Sequence, residues 1–283
     1  MKVLFVAVFT PGSTNISQSD GFKKCGWEVI EFNYREMAYH FGETKRDRFI
    51  VDYAMNQKVD LVVFSKCNEV RTWVVDECNK ITKTALWYMD TMNENYNSSL
   101  VEKIRKCNYV FCSIWESYEN AKKINPKTYF LHEGYDHLSN FPVETEPLYD
   151  VSFIGGLRNK RIEYHQALNF PVIQNAYGAE HSKIVSGTKI NLNFTEGGTS
   201  DRTYKVLASK GFLLTEPYPQ MENDFKIGVD LDVFTNVDEL KEKIDYYLTH
   251  EDERKAIAEN GYKTVQKFDR INWAKNLLEI VNG

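Results

Sequence analysis

The chain has 283 residues, which suits two domains of ordinary size, and its 42% apolar and 27% charged residues exclude wholesale disorder. A formal charge of -5 and a pI near 5.8 give no global field for attracting nucleic acid. The five cysteines, Cys25, Cys67, Cys78, Cys107 and Cys112, are odd in number and contain no CxxC pair, which argues against a disulfide framework and a zinc site.

The opening run "MKVLFVAVFTPG" has seven apolar residues before its turn and lacks a small-residue cleavage site. It is too short to cross a membrane, so it reads as a first β-strand, and a cytoplasmic location is expected. Further strand-like runs follow at 27–34, 60–66, 85–91, 109–113 and 128–134. Helical stretches separate them; in one, Leu100, Ile104 and Cys107 share a face. Such a βαβ alternation predicts a parallel sheet covered on both sides.

Residues 134–149, "GYDHLSNFPVETEPLY", break this rhythm with two prolines and read as an interdomain crossing. The alternation restarts with strands at 150–156, over "PVIQNAYG" and at 189–194, and with a helix over "RNKRIEYHQAL". Asn236 followed by Glu239 predicts a capping box for "DELKEKIDYYL". The next helix, "EDERKAIAENG", is expected to end just before Gly261, and "RINWAKNLLEIV" forms the last one. The predicted division is a first Rossmann-like domain at 1–140, a second at 141–267, and a C-terminal helix at 268–283 that can cross back to the first domain. No short internal repeat is present.

Doubly wound sheets bind ligands at the carboxyl ends of their strands, so chemistry is sought there, in the cleft expected between two Rossmann-like domains. Two strand ends in the second half carry glycine and arginine together. Gly155 and Gly156 precede Arg158 and Arg161, and Gly197 and Gly198 precede Asp201 and Arg202. Glycines admit a close backbone approach, a helix start offers free N–H groups, and a guanidinium matches phosphate oxygens, so "TEGGTSDRTYK" suits a diphosphate. The competing reading makes the glycines a turn and pairs Arg202 with a surface acid.

The run from Ile190 to Phe268 contains an "N" strand, an S-x-R-x-[FY] step, "LLTE", a strand near "DVF" and "DELKEKIDYYLTHEDER". In this order it resembles the carboxyl-terminal domain of CgeB-like (spore maturation protein) glycosyltransferases, and "YDVSFIGGLRNKR" is similar to that domain's start. "WYMDT" is similar to the Trp-x-x-Asp strand end of the amino half. The resemblance implies a GT-B fold and a nucleotide-sugar co-substrate, expected to be a UDP-sugar, with no tightly bound metal or cofactor.

It further implies that Arg202 holds the donor phosphates, that Gly156 admits the donor, and that Glu216 and Glu222 lie near the sugar or ribose. Gly155, Arg158, Arg161, Gly198, Ser200, Tyr204 and Lys205 complete the expected donor site. Lys205 stands where related enzymes usually carry a glutamate expected to contact the ribose, which puts the nucleotide contact in question and offers a phosphate contact instead.

For an inverting transfer a base must take the acceptor's proton, and Asp90 at the end of "ALWYMD" is the candidate; its alternative role is to cap the following segment. Trp87 is offered as an acceptor wall, against a core role. The loop "FTPGSTN" lacks GxGxxG, which argues against a dinucleotide site; the resemblance to GT-B enzymes implies that Thr10 and Gly12 belong to the acceptor pocket, and Glu133 and Asp136 of "HEGYDH" are expected at the same cleft mouth. The histidines of that hexapeptide are five apart across a glycine, which rules out a shared helical metal face, and "DLD" at 230–232 reads as chance acidic spacing.

The acceptor itself is not legible: a glycan, a small molecule, a protein or a modified DNA base all fit. Transfer to hydroxymethylated bases of phage DNA is one alternative, for which Lys23, Lys24, Lys45 and Arg46 are the local cations. A non-catalytic nucleotide-sugar binding protein is the other.

Overall fold

In the computed structural model, which describes residues 1–92, 98–195 and 200–283, the predicted alternation forms two parallel sheets in two units. The first unit contains Met1–Glu133 and Arg270–Gly283, and the second Gly134–Asp269.

The first sheet is built from β1 (Lys2–Ala7), β2 (Glu28–Asn33), β3 (Leu61–Ser65), β4 (Lys83–Tyr88), β5 (Tyr109–Cys112) and β6 (Thr128–Phe130), all parallel, in the order β2-β1-β3-β4-β5-β6. Its helices are α1 (Thr14–Lys24), α2 (Tyr34–Phe41), α3 (Glu43–Asn56), α4 (Trp73–Asn79), α5 (Ser98–Lys106) and α6 (Trp115–Ile124). Residues alternate strictly between the two faces, as a strand period of two requires. Leu4, Val6, Val62, Phe64 and Leu86 enter one core, while Val3, Phe5, Val63, Ala85 and Trp87 enter the other.

The second of these cores is closed by α1 and by the last helix, Arg270–Asn282, whose Trp273 packs edge-on against both Phe22 and Trp87. Burying an aromatic or branched side chain of this size stabilises a fold by about 1.5–3 kcal/mol, and this helix contributes four of them, Trp273, Leu277, Leu278 and Val281. After β3 the backbone turns left-handed at two successive non-glycine residues, Lys66 (φ 57°) and Cys67 (φ 53°). Each such residue costs roughly 1–2 kcal/mol.

The second sheet contains β7 (Tyr149–Ile154), β8 (Val172–Ile173), β9 (Thr188–Asn193), β10 (Leu213–Thr215) and β11 (Asp232–Val233), in the order β11-β10-β9-β7-β8. The connecting helices are α7 (Lys160–Leu168), α8 (Gly178–Ser186), α9 (Asp201–Ala208), α10 (Met221–Asp224), α11 (Val237–Thr249) and α12 (Glu251–Val265); the last helix of the chain is α13. The strand expected over "PVIQNAYG" is only two residues long, because the chain turns at Asn175 (φ 60°) and Gly178 already opens α8.

Gly261 does not end α12, which runs on to Val265. A Cβ at this position would sit 2.2 Å from the Asp230 carbonyl oxygen, so the glycine permits a close helix-to-loop approach. The Asn236 cap forms, its Oδ1 accepting the Glu239 N–H at 2.9 Å, while the return bond of the box is shifted by one residue: Glu239 Oε2 accepts the Thr235 N–H at 2.8 Å. Asn236→Ala should therefore lower stability by about 1 kcal/mol, read as a lower midpoint in urea at unchanged slope.

Candidate ligand-binding site

In the second sheet the chain runs from β7 to β8 on one side and then returns to place β9 on the other. The carboxyl ends of β7 and β9 therefore diverge, and a crevice opens at such a switch point. A cavity of about 340 Å³ lies there. Ile154, Gly155 and Gly156 line it from the end of β7, Gln174–Tyr177 from the loop after β8, His181 from the first turn of α8, and Asp201, Arg202 and Lys205 from α9. Both helices begin without a side-chain cap, at Tyr177 and at Ser200, so neither cap side chain takes up the first N–H groups.

Arg202 is fixed from below. Its Nε donates to the Ile154 carbonyl at 2.8 Å and its Nη1 to Asn193 Oδ1 at 2.8 Å, with the guanidinium 4.9 Å from the centre of the Phe153 ring. Asn193 is the last residue of the "INLN" strand and is completely buried; its amide donates to Thr203 and Thr215 hydroxyls while its oxygen receives the arginine. Nη2 stands where a Cβ on residue 155 would come within 2.8 Å, and Gly155 has φ 154°, so glycine is required there for both space and backbone. Burial pulls the Arg202 pKa down to about 10; Asp201 opposes this and the Arg161 and Arg158 charges add to it. The group remains cationic at neutral pH in surroundings that do not fully balance its charge.

Lys205 reaches across one helical turn to Asp201 at 2.5 Å. His181, 6% exposed, has its pKa lowered to about 4, chiefly by burial and then by the Lys205 charge, with Arg202 adding to it and Asp201 opposing it. The ring lines the cavity, and among the described residues its buried Nδ1 has no hydrogen-bond partner. A neutral imidazole carries one N–H donor. The arrangement is thus two cations, one neutral donor, two helix starts and one carboxylate around a crevice, a set of groups that binds an anion with several oxygens.

Of the expected donor residues, the structure gathers Gly155, Gly156, Arg202 and Lys205 around this cavity, with Ser200 as the cap of α9. Gly198 and its neighbour Gly197 lie outside the described residues. Arg158 is exposed and acts on the site through its charge. Arg161 is buried and donates to the carbonyls of Gly156 and Phe194, so it braces the cavity wall and does not face a ligand.

Tyr204 is also a core residue, 1% exposed and packed on Phe268. Glu216 is buried, pairs with Lys160 at 2.7 Å and accepts the Thr195 N–H at 3.0 Å; Glu222 is exposed on α10. Neither glutamate lines the cavity. His181 and Tyr177 were missed because the run "NAYGAEH" reads as the end of a strand, whereas Gly178 starts a helix and turns both side chains to the crevice.

In the first unit Thr10 and Gly12 are exposed in the turn after β1, closed by the Ser13 N–H to the Thr10 carbonyl. Asp90 follows β4 and its carboxylate meets Lys66 Nζ at 2.7 Å. Trp87 is wholly buried among Trp273 and its neighbours, so it cannot wall an acceptor pocket; an inward position on a central strand placed it in the core. Glu133 receives Arg270 on its carbonyl and faces it at 3.7 Å with its carboxylate, which anchors α13. Asp136 closes a local turn through the Leu138 N–H and the Ser139 hydroxyl. Asp230 accepts from Thr264, and Asp232 from Tyr247 and Lys243, so the "DLD" carboxylates tie together β11 and the helices around it.

Residues 142–280 match a family model described as glycosyl transferase-like. No curated protein matches the chain in sequence. Among solved structures, HepE of Anabaena in complex with UDP-glucose is 12% identical over 100% of this chain and 99% of its own, with a TM-score of 0.68. The sucrose-phosphate synthase of Thermosynechococcus elongatus is 12% identical over 100% and 98%, with a TM-score of 0.69. A glycosyltransferase of Rickettsia africae is 13% identical over 99% and 97%, with a TM-score of 0.67. The two parallel α/β units are thus of the GT-B class. Among the described residues no helix is long and apolar enough to cross a membrane.

Proposed function

We propose, from a chain whose residues 142–280 match a family model described as glycosyl transferase-like, that the protein moves a sugar from a nucleoside diphosphate donor to an acceptor hydroxyl. The observation that carries this reading is Arg202. It is an incompletely balanced guanidinium locked at a switch-point crevice beside two uncapped helix starts. UDP is the favoured leaving group, since HepE was solved with UDP and with UDP-glucose.

Departure of the leaving group builds charge on the diphosphate, and Arg202, Lys205 and the helix N–H groups meet it in a fixed arrangement that needs no divalent cation. The bond from the anomeric carbon to the phosphate oxygen breaks and its electron pair leaves with the diphosphate. In an inverting transfer the acceptor oxygen bonds to that carbon and gives its proton to Asp90. The finer assignment, to the CgeB-like group, rests on the run from Ile190 to Phe268 and leaves Lys205 as its departure. The Lys205–Asp201 pair favours a second reading, in which the nucleotide sugar is bound without transfer.

The phage DNA alternative has little support in the charges. Lys23 pairs with Glu31, Lys24 with Asp20, and Arg46 is buried against Asp47, which among the described residues leaves Lys45 as the exposed cation of that set without such a pairing.

Incubation with a panel of nucleotide sugars, followed by assay of free nucleoside diphosphate, tests the assignment. The expected result is release from a UDP-sugar. Measurable UDP binding with no release from any donor would establish the non-catalytic reading instead.

A further inference from the structure

We infer that Lys66 is a positioning residue for the acceptor's proton transfer, held on Asp90 by a loop built for that purpose; the inference rests on the glycosyl-transfer reading. In the first sheet β1 leads to β2 on one side and to β3 on the other, so the ends of β1 and β3 form this sheet's switch point. Lys66 and Cys67 follow β3 there, both left-handed. A loop that had only to leave the sheet would carry glycine at these positions.

Both side chains are used instead. The Cys67 thiol donates to the Val6 carbonyl, 3.2 Å away, inside the core. The Lys66 ammonium lies 2.7 Å from Asp90 Oδ1.

The loop is clamped from beneath by two buried cations. Lys103, 2% exposed, donates to the carbonyls of Cys67 at 2.6 Å and Asn68 at 3.2 Å. Arg46, 1% exposed, donates to the Glu69 carbonyl at 2.6 Å. An ordinary surface ion pair forms between flexible side chains on a relaxed backbone and contributes little to stability. Here three successive carbonyls are fixed by buried charges so that one lysine leaves the sheet in a strained direction, while Lys66 and Asp90 themselves stay 37% and 46% exposed. Strain held in place by its surroundings marks a working site.

In the transfer step Lys66 holds Oδ1 and so orients the carboxylate, and Oδ2 takes the proton. The acceptor's O–H bond breaks, the Oδ2–H bond forms, and the oxygen's freed pair bonds to the sugar.

Lys66→Gly separates this role from a structural one. It relieves the backbone, so the thermal midpoint should stay level or rise, while turnover falls at least tenfold at unchanged donor KM. Turnover is read as UDP release from UDP-glucose, or from the panel donor that turns over. Lys66→Arg keeps a cation and should restore part of the rate. A Lys66→Gly protein that turns over at the wild-type rate overturns this inference alone. So does one that melts well below wild type and loses rate in proportion. A wild-type protein that turns over no donor overturns both this inference and the functional reading.

Discussion

Arg202→Ala should weaken UDP binding by roughly 100-fold, about 3 kcal/mol, the range expected for losing a charge-assisted hydrogen bond together with its charge. Nε and Nη1 are already committed to Ile154 and Asn193, so the guanidinium cannot rotate away from the crevice and presents Nη2 beside Gly155. A lysine supplies charge without that three-way fixation, so Arg202→Lys should recover only part of the affinity. The alanine variant also leaves a carbonyl and a buried amide oxygen without their donor, which lowers stability by about 1–3 kcal/mol. Affinity must therefore be titrated calorimetrically well below the variant's melting temperature. Binding should decline as pH approaches about 10, where Arg202 itself deprotonates. Wild-type affinity in a folded Arg202→Ala protein would end the phosphate assignment.

The sheets were legible because parallel strands buried on both faces give unbroken apolar runs, and "KVLFVAVF" and "DLVVFSK" follow that rule directly. A crevice position for Arg202 was legible because a strand end that leads through glycines into a helix is where a doubly wound sheet opens. Residue type alone could not separate Arg202 from Arg161, since both follow a glycine pair. What separates them is the partner: Arg161 is turned inward onto two carbonyls, whereas Arg202 is held at the crevice by Asn193. Tyr204 was misjudged in the same way, and Trp87 took the core role of its two readings, because an amphipathic ring fits a pocket and a core equally well in sequence. The strain at Lys66 and Cys67 left no sequence signal, since neither residue type favours a left-handed backbone.

Wild-type protein should lose up to roughly 3 kcal/mol of stability between pH 6.5 and pH 4 through His181 alone, and His181→Gln should lack that component. The sign follows from the depressed pKa. With a folded value of about 4 against 6.5 for the free side chain, the unfolded chain takes up the proton first as pH falls. The penalty is therefore absent above pH 6.5, grows through the interval, and stops growing below pH 4, where both states are protonated. Thermal midpoints of the two proteins at pH 7 and pH 4.5 measure it, and equal losses in both would remove His181 from the account.

The same residue then reports on the ligand. Burial, Lys205 and Arg202 keep the ring neutral, and a diphosphate in the crevice would offset both cations and attract an imidazolium. UDP binding at pH 5–6 should thus draw a proton onto His181. Calorimetric titrations in buffers of different ionisation enthalpy would show that uptake in the wild type and its loss in His181→Gln. A wild type that binds UDP without proton uptake would place the diphosphate away from His181.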